Sequence, residues 1–268
     1  MASVESNKAK IAKRVIEVLE FFDEEHPEAT VMDIVRRFNR PQSSTSELLS
    51  SLVDLGLLYK NPCSRSYAPT PRAAMLGTAV QPGMVRDGRL TGLIDRLSAQ
   101  TGLGVAVFGM VGLKAQIFNW RAGKRPLRTS GPAGFCGGQQ EHLSDSAIGW
   151  LLLSTVAAPR REGMIRRLNA EASPERKFST SEMSAIVQQC RDHGHASGVA
   201  GFGSIADITA VLLPDQPENQ PLAIGLVYEP SAAIDASALL HSLSDAVGRS
   251  AEGDTAPVAM VQPLFHAA

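Results

Sequence analysis

The chain has 268 residues, 44% apolar and 20% charged, with 26 Lys and Arg against 27 Asp and Glu for a formal net charge of −1. That balance suits a globular protein with one or two real cores and excludes a uniformly basic coat for non-specific nucleic-acid binding. Cys63, Cys136 and Cys190 are too few and too scattered for a disulfide framework. The opening MASVESNKAK lacks a signal-peptide core, and no apolar run approaches the ~18 residues of a membrane span, so a cytoplasmic protein with no membrane partner is expected.

Ile11, Val15, Val18, Leu19 and Phe22 recur at helical spacing and predict a first helix over 9–24 with these residues facing inward. A second helix follows, capped by Thr30, with Val31, Ile34, Val35 and Phe38 turned to the core. After the break Asn39-Arg40-Pro41, a third helix begins with Gln42-Ser43-Ser44-Thr45-Ser46, continues through Leu48, Leu49, Leu52 and Val53, and stops at Gly56. LLYK and YAPT, around NPCSRS, read as a short hairpin. Three short helices and a hairpin predict a winged helix-turn-helix. The third helix, polar first and apolar afterwards, has the division a recognition helix needs between base edges and core. A plain three-helix bundle is the alternative.

Leu90, Leu93, Ile94 and Leu97 then mark a helix, and GVAVFGMV and KAQIFNW two strands joined at Gly112. A glycine-rich basic segment with at most one short strand follows. Helices are expected near 145–157, 159–170 and 179–193, buried strands in IADITAVLLP and LAIGLVYEP, and a last helix near 232–249. The fold class is therefore α+β, with a winged helix-turn-helix at 9–72, a linker at 73–87, a second domain at 88–250 and a flexible tail at 251–268.

These elements, in this order, resemble the IclR family of bacterial transcriptional regulators over residues 10–250. RFNRPQSSTSELLSSLVDLGLLYK looks like that family's recognition helix and first wing strand. SYAPTPRAAMLG looks like its second wing strand running into the linker, LSDSAIGWLLLS like its small-residue helix, and DHGHASGVAGFGSIADITAVLLP like its turn, loop and core strand. MarR-type regulators share a winged helix but lack a second α+β domain of this size. The resemblance implies a repressor or activator whose partners are double-stranded operator DNA and a small-molecule effector. It also implies a GAF-like or profilin-like effector domain, and a homodimer that in the family often pairs into a dimer of dimers.

For DNA, residues 1–76 hold ten cations and ten acids, but seven of the acids precede residue 30. Arg36, Arg37, Arg40, Lys60, Arg65 and Arg72 lie where elements would flank a groove. A solvated mixed-charge surface is the bland alternative. Gln42, Ser43, Ser44, Thr45 and Ser46 are candidate base or phosphate contacts, some of them serving only as helix caps, so two or three true contacts are expected. Glu47 stands where the family commonly has a basic residue, and a carboxylate there repels phosphate but accepts from cytosine's amino group.

For the effector, the resemblance puts Gly198, Ile208, Leu226 and Tyr228 where family members that sense keto acids place polar ligands. An anionic headgroup is poorly desolvated among such residues. Ile208, Leu226 and Tyr228 are expected to line one cavity, roofed by the 131–138 loop with Gly134 and Phe135 and by the helix start near Ala147, and to suit an apolar or aromatic effector. A cavity filled by the protein's own side chains, leaving a ligand-free domain that serves as a protein-interaction module, is the competing reading. Cys190, His193 and His195, with Cys136 and His142, raise a metal or haem sensor, yet half of a paired zinc motif is missing and ordinary structural roles are preferred. Arg121, Lys124, Arg125 and Arg128 read as a solvated loop. With no G-x-S-x-G or H-E-x-x-H motif, neither a catalytic residue, a metal site nor a cofactor is assigned.

Overall fold

The computed structural model describes residues 7–23, 25–77, 80–129, 135–217, 220–231 and 234–253, and the chain divides into two compact units, 1–81 and 82–268. The first unit contains α1 (Asn7–Phe21), α2 (Val31–Phe38), α3 (Gln42–Asp54), β1 (Leu58–Lys60), β2 (Tyr67–Pro69) and α4 (Pro71–Met75). Helix α1 ends before residue 24 because the Asp23 carboxylate accepts the N–H groups of Glu25 and His26, at 2.9 and 2.7 Å, and turns the chain. Ile11, expected inside, is 51% exposed, and the core begins farther along the helix at Val18.

Thr30 and Asp33 start α2 with a reciprocal capping box. Hydrogen bonds from Thr30 to the Asp33 carboxylate hold it below its ordinary pKa. The helix stops at Asn39, whose φ of 48° is the left-handed conformation Asn tolerates. Val18, Ile34, Leu49, Leu52, Leu58 and Tyr67 close the core of this unit, and β1 and β2 pair antiparallel with Lys60 opposite Tyr67.

The second unit runs α5 (Gly83–Arg86), α6 (Arg89–Thr101), β3 (Gly104–Val111), β4 (Lys114–Arg121), β5 (Gln140–His142), α7 (Ala147–Ser154), α8 (Ala158–Glu171), α9 (Thr180–His193), β6 (His195–Val199), β7 (Asp207–Leu212), β8 (Leu222–Tyr228) and α10 (Ala236–Glu252). The sheet order is β5-β4-β3-β8-β7-β6, every neighbouring pair antiparallel. Its β3–β4 turn is made at Gly112, with φ 61°. One face packs against α7, α8 and α9 through Phe108, Ile117, Ile148, Leu151, Ile208 and Val227. The other packs against α5, α6 and α10 through Val105, Val107, Ile224, Leu226 and Tyr228. Successive side chains along a strand point to opposite faces, so both layers are fed from the same strands. Strand β6, in the segment expected as turn and loop, is a short edge strand whose Ser197 and Gly198 interrupt any apolar run.

Candidate DNA interface and effector site

In the first unit α3 presents Gln42, Ser43 and Glu47 to solvent, with Ser46 half-exposed. The helix start does not treat its polar residues alike. Thr45 is buried and donates its hydroxyl to the Pro41 carbonyl at 2.9 Å, so it cannot reach a base. Ser44, half-buried, donates to the same carbonyl at 3.2 Å. Arg36, Arg37, Lys60 and Arg65 are exposed on α2 and the wing. Asn61 forms the wing turn by accepting the N–H groups of Cys63 and Ser64 at 2.9 and 3.3 Å, which leaves Arg65 left-handed at φ 56° and outward.

Arg40 departs from the expected set. Its guanidinium hydrogen-bonds the Glu17 carboxylate on α1, lies 5.2 Å from the centroid of the Phe38 ring and leaves the side chain 19% exposed, so it ties helices together instead of projecting outward. Tyr59, outside the expected set, is a surface aromatic on β1 that strand alternation places opposite in sense to buried Leu58.

In the second unit the expected effector residues divide. Phe135, Ala147, Gly198 and Ile208 share the face covered by α7: Ile208 pairs with Gly198, and a Cβ on Gly198 would stand 3.7 Å from that of Ala147. Leu226 and Tyr228 lie on the opposite face, against α6 and α10. The register explains this, since Ile208 pairs with Val227 and Thr209 with Leu226, so the three expected cavity residues cannot line one space. Tyr228 is further occupied: its hydroxyl hydrogen-bonds that of Thr209 at 3.0 Å, and burial pushes its pKa up. Gly134 lies outside the described residues.

The α7 face instead carries an aromatic cluster that only Phe135 announced. The Phe135 ring, in a residue 6% exposed, stands 4.8 Å from Trp120 and 5.4 Å from Phe202, and Phe202 is 5.7 Å from Phe108. Beside it Glu141 of β5 accepts the Phe202 backbone N–H on Oε2 at 2.6 Å. Burial pushes the Glu141 carboxyl up to about 7, with the charge of Asp145 adding to it and the Phe202 amide, the nearby Ser146 hydroxyl and Arg176 opposing it. Glu141 Oε1 and Ser146 Oγ are both buried, and the Ser146 hydroxyl is the side-chain donor that favours the Glu141 carboxylate. The signal for this corner was a Glu inside a short edge strand and a Phe between two glycines, neither of which spacing alone brings together.

Among the described residues no three His, Cys, Asp or Glu side chains gather into a metal-holding group. His193 and His195 stack at 5.6 Å, and burial raises the pKa of the Cys190 thiol. Two residues of the basic loop face acids, Arg121 opposite Asp95 at 3.4 Å and Arg128 opposite Glu229 at 3.0 Å.

The architecture is thus a winged helix-turn-helix with an outward polar start to its third helix, followed by a six-stranded α+β unit. Residues 12–62 match the IclR helix-turn-helix domain. The fold of the whole chain is that of solved IclR-family regulators. The Thermotoga maritima IclR is 16% identical, with 92% of this chain and 97% of that one covered and a TM-score of 0.55. An IclR transcriptional regulator from Alicyclobacillus acidocaldarius is 18% identical, with 95% and 99% covered and a TM-score of 0.54. An IclR homolog from Microbacterium hydrocarbonoxydans, complexed with 4-hydroxybenzoate, is 14% identical, with 91% and 98% covered and a TM-score of 0.55. Curated protein sequences give no significant match.

Proposed function

We propose that the chain is a sequence-specific transcriptional regulator whose grip on operator DNA is altered by a small apolar or aromatic ligand held in the second unit. The observation that carries the DNA half is the outward start of α3, Gln42, Ser43, Ser46 and Glu47, with Arg36, Arg37, Lys60 and Arg65 exposed on neighbouring elements. Cations neutralise phosphates and fix register, while Gln and Ser at a helix start read base edges. The aromatic cluster at Phe135 supports the ligand half, as does the 4-hydroxybenzoate complex of the homolog with this fold.

The active form is a homodimer, because one recognition helix reads only a few base pairs and two related by a dyad reach operator affinity. Exposed Ile11 and Ile16 on α1 and exposed Met75 and Leu76 at α4 supply apolar surface for it. No helix among the described residues is long and apolar enough to cross a membrane, and the cytoplasm is the assigned location.

Footprinting on the DNA flanking the chain's own gene, repeated over a salt series, tests the reading. A protected dyad whose affinity falls steeply with salt is expected. Absence of protection, or binding indifferent to salt, would favour a protein-interaction role instead.

A further inference from the structure

We propose that the second unit holds a further ligand site, a groove between α8 and the β3–β4 turn that takes an amphipathic anion, a carboxylate or phosphate carried on an apolar body. The groove lies apart from the α7 face. None of its residues belongs to α7, and neither Phe135, Gly198 nor Ile208 lines it, so it stands independently of the effector reading above.

The walls follow from local pattern. Arg160, Met164, Arg167 and Glu171 recur at spacings of four, three and four, which puts them on one stripe of α8. The neighbouring stripe, Arg161, Ile165 and Leu168, is buried. Facing the first stripe are Val111, Leu113 and Lys114 of the β3–β4 turn and His142 at the end of β5. Lys114 pairs with His142 in the sheet and the Leu113 carbonyl accepts the Leu143 N–H at 3.1 Å, so turn and strand end are fixed to each other. On the helix side the buried Arg161 donates to the Gln188 side chain at 3.0 Å, which ties α8 to α9. Both walls are therefore in place before a ligand arrives, and binding does not have to order them.

The space between the walls, about 420 Å³, is within the range of small-molecule sites. Its lining is divided. Val111, 45% exposed, joins Leu113 and Met164 as apolar surface open to a ligand. Lys114, Arg160 and Arg167 bring three cations against one acid, and that acid, Glu171, already accepts from Arg167 Nε at 2.7 Å. Lys114 and Arg160 are exposed and make no ion pair among the described residues. Arg160 also stands in the first turn of α8, which has no acid and no side-chain cap, so the positive end of the helix dipole adds to its charge.

Two unpaired cations beside apolar surface select a ligand with both characters. Lys and Arg donate to an oxyanion, Arg through a planar fork that suits carboxylate and phosphate alike. A bare inorganic anion would leave Val111, Leu113 and Met164 in water, and a neutral hydrocarbon would leave the cations unanswered.

Calorimetry on the full chain with octanoate, octyl phosphate and 1-octanol, which share one hydrocarbon chain and differ in the head, tests the site. The wild type should bind at least one of the anions about tenfold or more tighter than octanol, and the tighter of the two identifies the headgroup. Lys114→Gln and Arg160→Gln should keep the wild-type melting temperature and each weaken that anion by about fivefold, the upper return of an exposed ion pair. The double variant should bind it little better than octanol. Octanol binding as tight as both anions, anion affinity unmoved in the double variant, or no binding of either anion to the wild type overturns the site.

Discussion

The Glu141 carboxylate, on edge strand β5, accepts the backbone N–H of Phe202 at 2.6 Å in the loop that leaves β6, the opposite edge of the same sheet. One hydrogen bond therefore ties edge strand β5 to the loop that follows the other edge strand, β6. Its acceptor is a carboxyl whose folded pKa, about 7, stands above the ordinary value of 4.5.

That shift has a sign. Between 4.5 and about 7 the folded state binds the Glu141 proton and the unfolded state does not, so the contribution of this group is fully present at low pH and is lost as pH rises through 7. The loss amounts to roughly 3 kcal/mol over that window at one pKa unit per 1.4 kcal/mol. Glu141→Gln cannot titrate, so its stability relative to wild type should climb from pH 5 to pH 8 and then level. Thermal denaturation of the two proteins across that range checks it, and because the shift of Glu20 is common to both, it cancels in the difference. A difference that is flat with pH would show that Glu141 ionises normally.

Arg40 and Arg65 should separate stability from DNA binding. Arg40, beneath Phe38 and bonded to Glu17, has one guanidinium nitrogen, Nη1, buried and unpaired. Removing it leaves Glu17 without its partner. Arg40→Ala should therefore lower stability by about 1–3 kcal/mol, between the values for exposed and buried ion pairs. Arg65→Ala and Lys60→Ala should leave the melting temperature unchanged, weaken binding to all DNA sequences alike and each reduce the salt slope by about 1. Melting curves and salt titrations of the three variants decide it. An Arg40→Ala protein of wild-type stability with impaired DNA binding would return Arg40 to the interface.

The third helix makes a parallel division among polar neighbours. Gln42 is exposed and Thr45 is buried with its hydroxyl on Pro41. Gln42→Ala should change preference among operator variants by about 1–3 kcal/mol at the base it reads, with stability intact. Thr45→Ala, which deletes a buried methyl and a hydrogen bond, should cost about 1–2 kcal/mol in stability and leave sequence preference alone. Competition binding on single-base operator variants and denaturant melts distinguish the two. A shift in preference from Thr45→Ala would contradict its burial.

Most of the architecture was legible because it rests on local pattern. Thr30, Asn39, Pro41 and Gly56 punctuate the winged helix as their chemistry dictates, and the apolar runs of β3, β7 and β8 read directly as strands. Which polar residue faces out was not legible. Arg40 and Arg65 are alike in sequence, and only the approach of Glu17 across 23 residues separates them. The effector corner failed for a related reason. Placing Ile208, Leu226 and Tyr228 in one cavity ignored strand register, which pairs Ile208 with Val227 and so sends Leu226 to the other face. Glu141 and Phe202 come together only through the folding of a whole sheet, which no spacing encodes.

Two glycines in neighbouring helices should respond oppositely to alanine. On α7 a Cβ at Gly149 would stand 2.7 Å from the Leu143 Cα and carbonyl carbon, nearer still to its oxygen. Backbone atoms cannot rotate away as a flexible side chain would, and Gly149 is itself fully within the core layer that α7 forms over the sheet. Gly149→Ala should therefore push α7 off the Leu143 segment and lower stability by about 2 kcal/mol or more, within the range for overpacked cores. On α8 nothing lies within 4 Å of a Cβ at Gly163, and its φ is ordinary. Gly163→Ala gains helix propensity and restricts the unfolded chain, so it should raise stability by about 0.5–1 kcal/mol. Denaturant melts of the two variants beside wild type test the pair. If Gly149→Ala proves as stable as Gly163→Ala, α7 does not approach the Leu143 backbone as closely as described, and the position it gives Ala147 beside Gly198 falls with it.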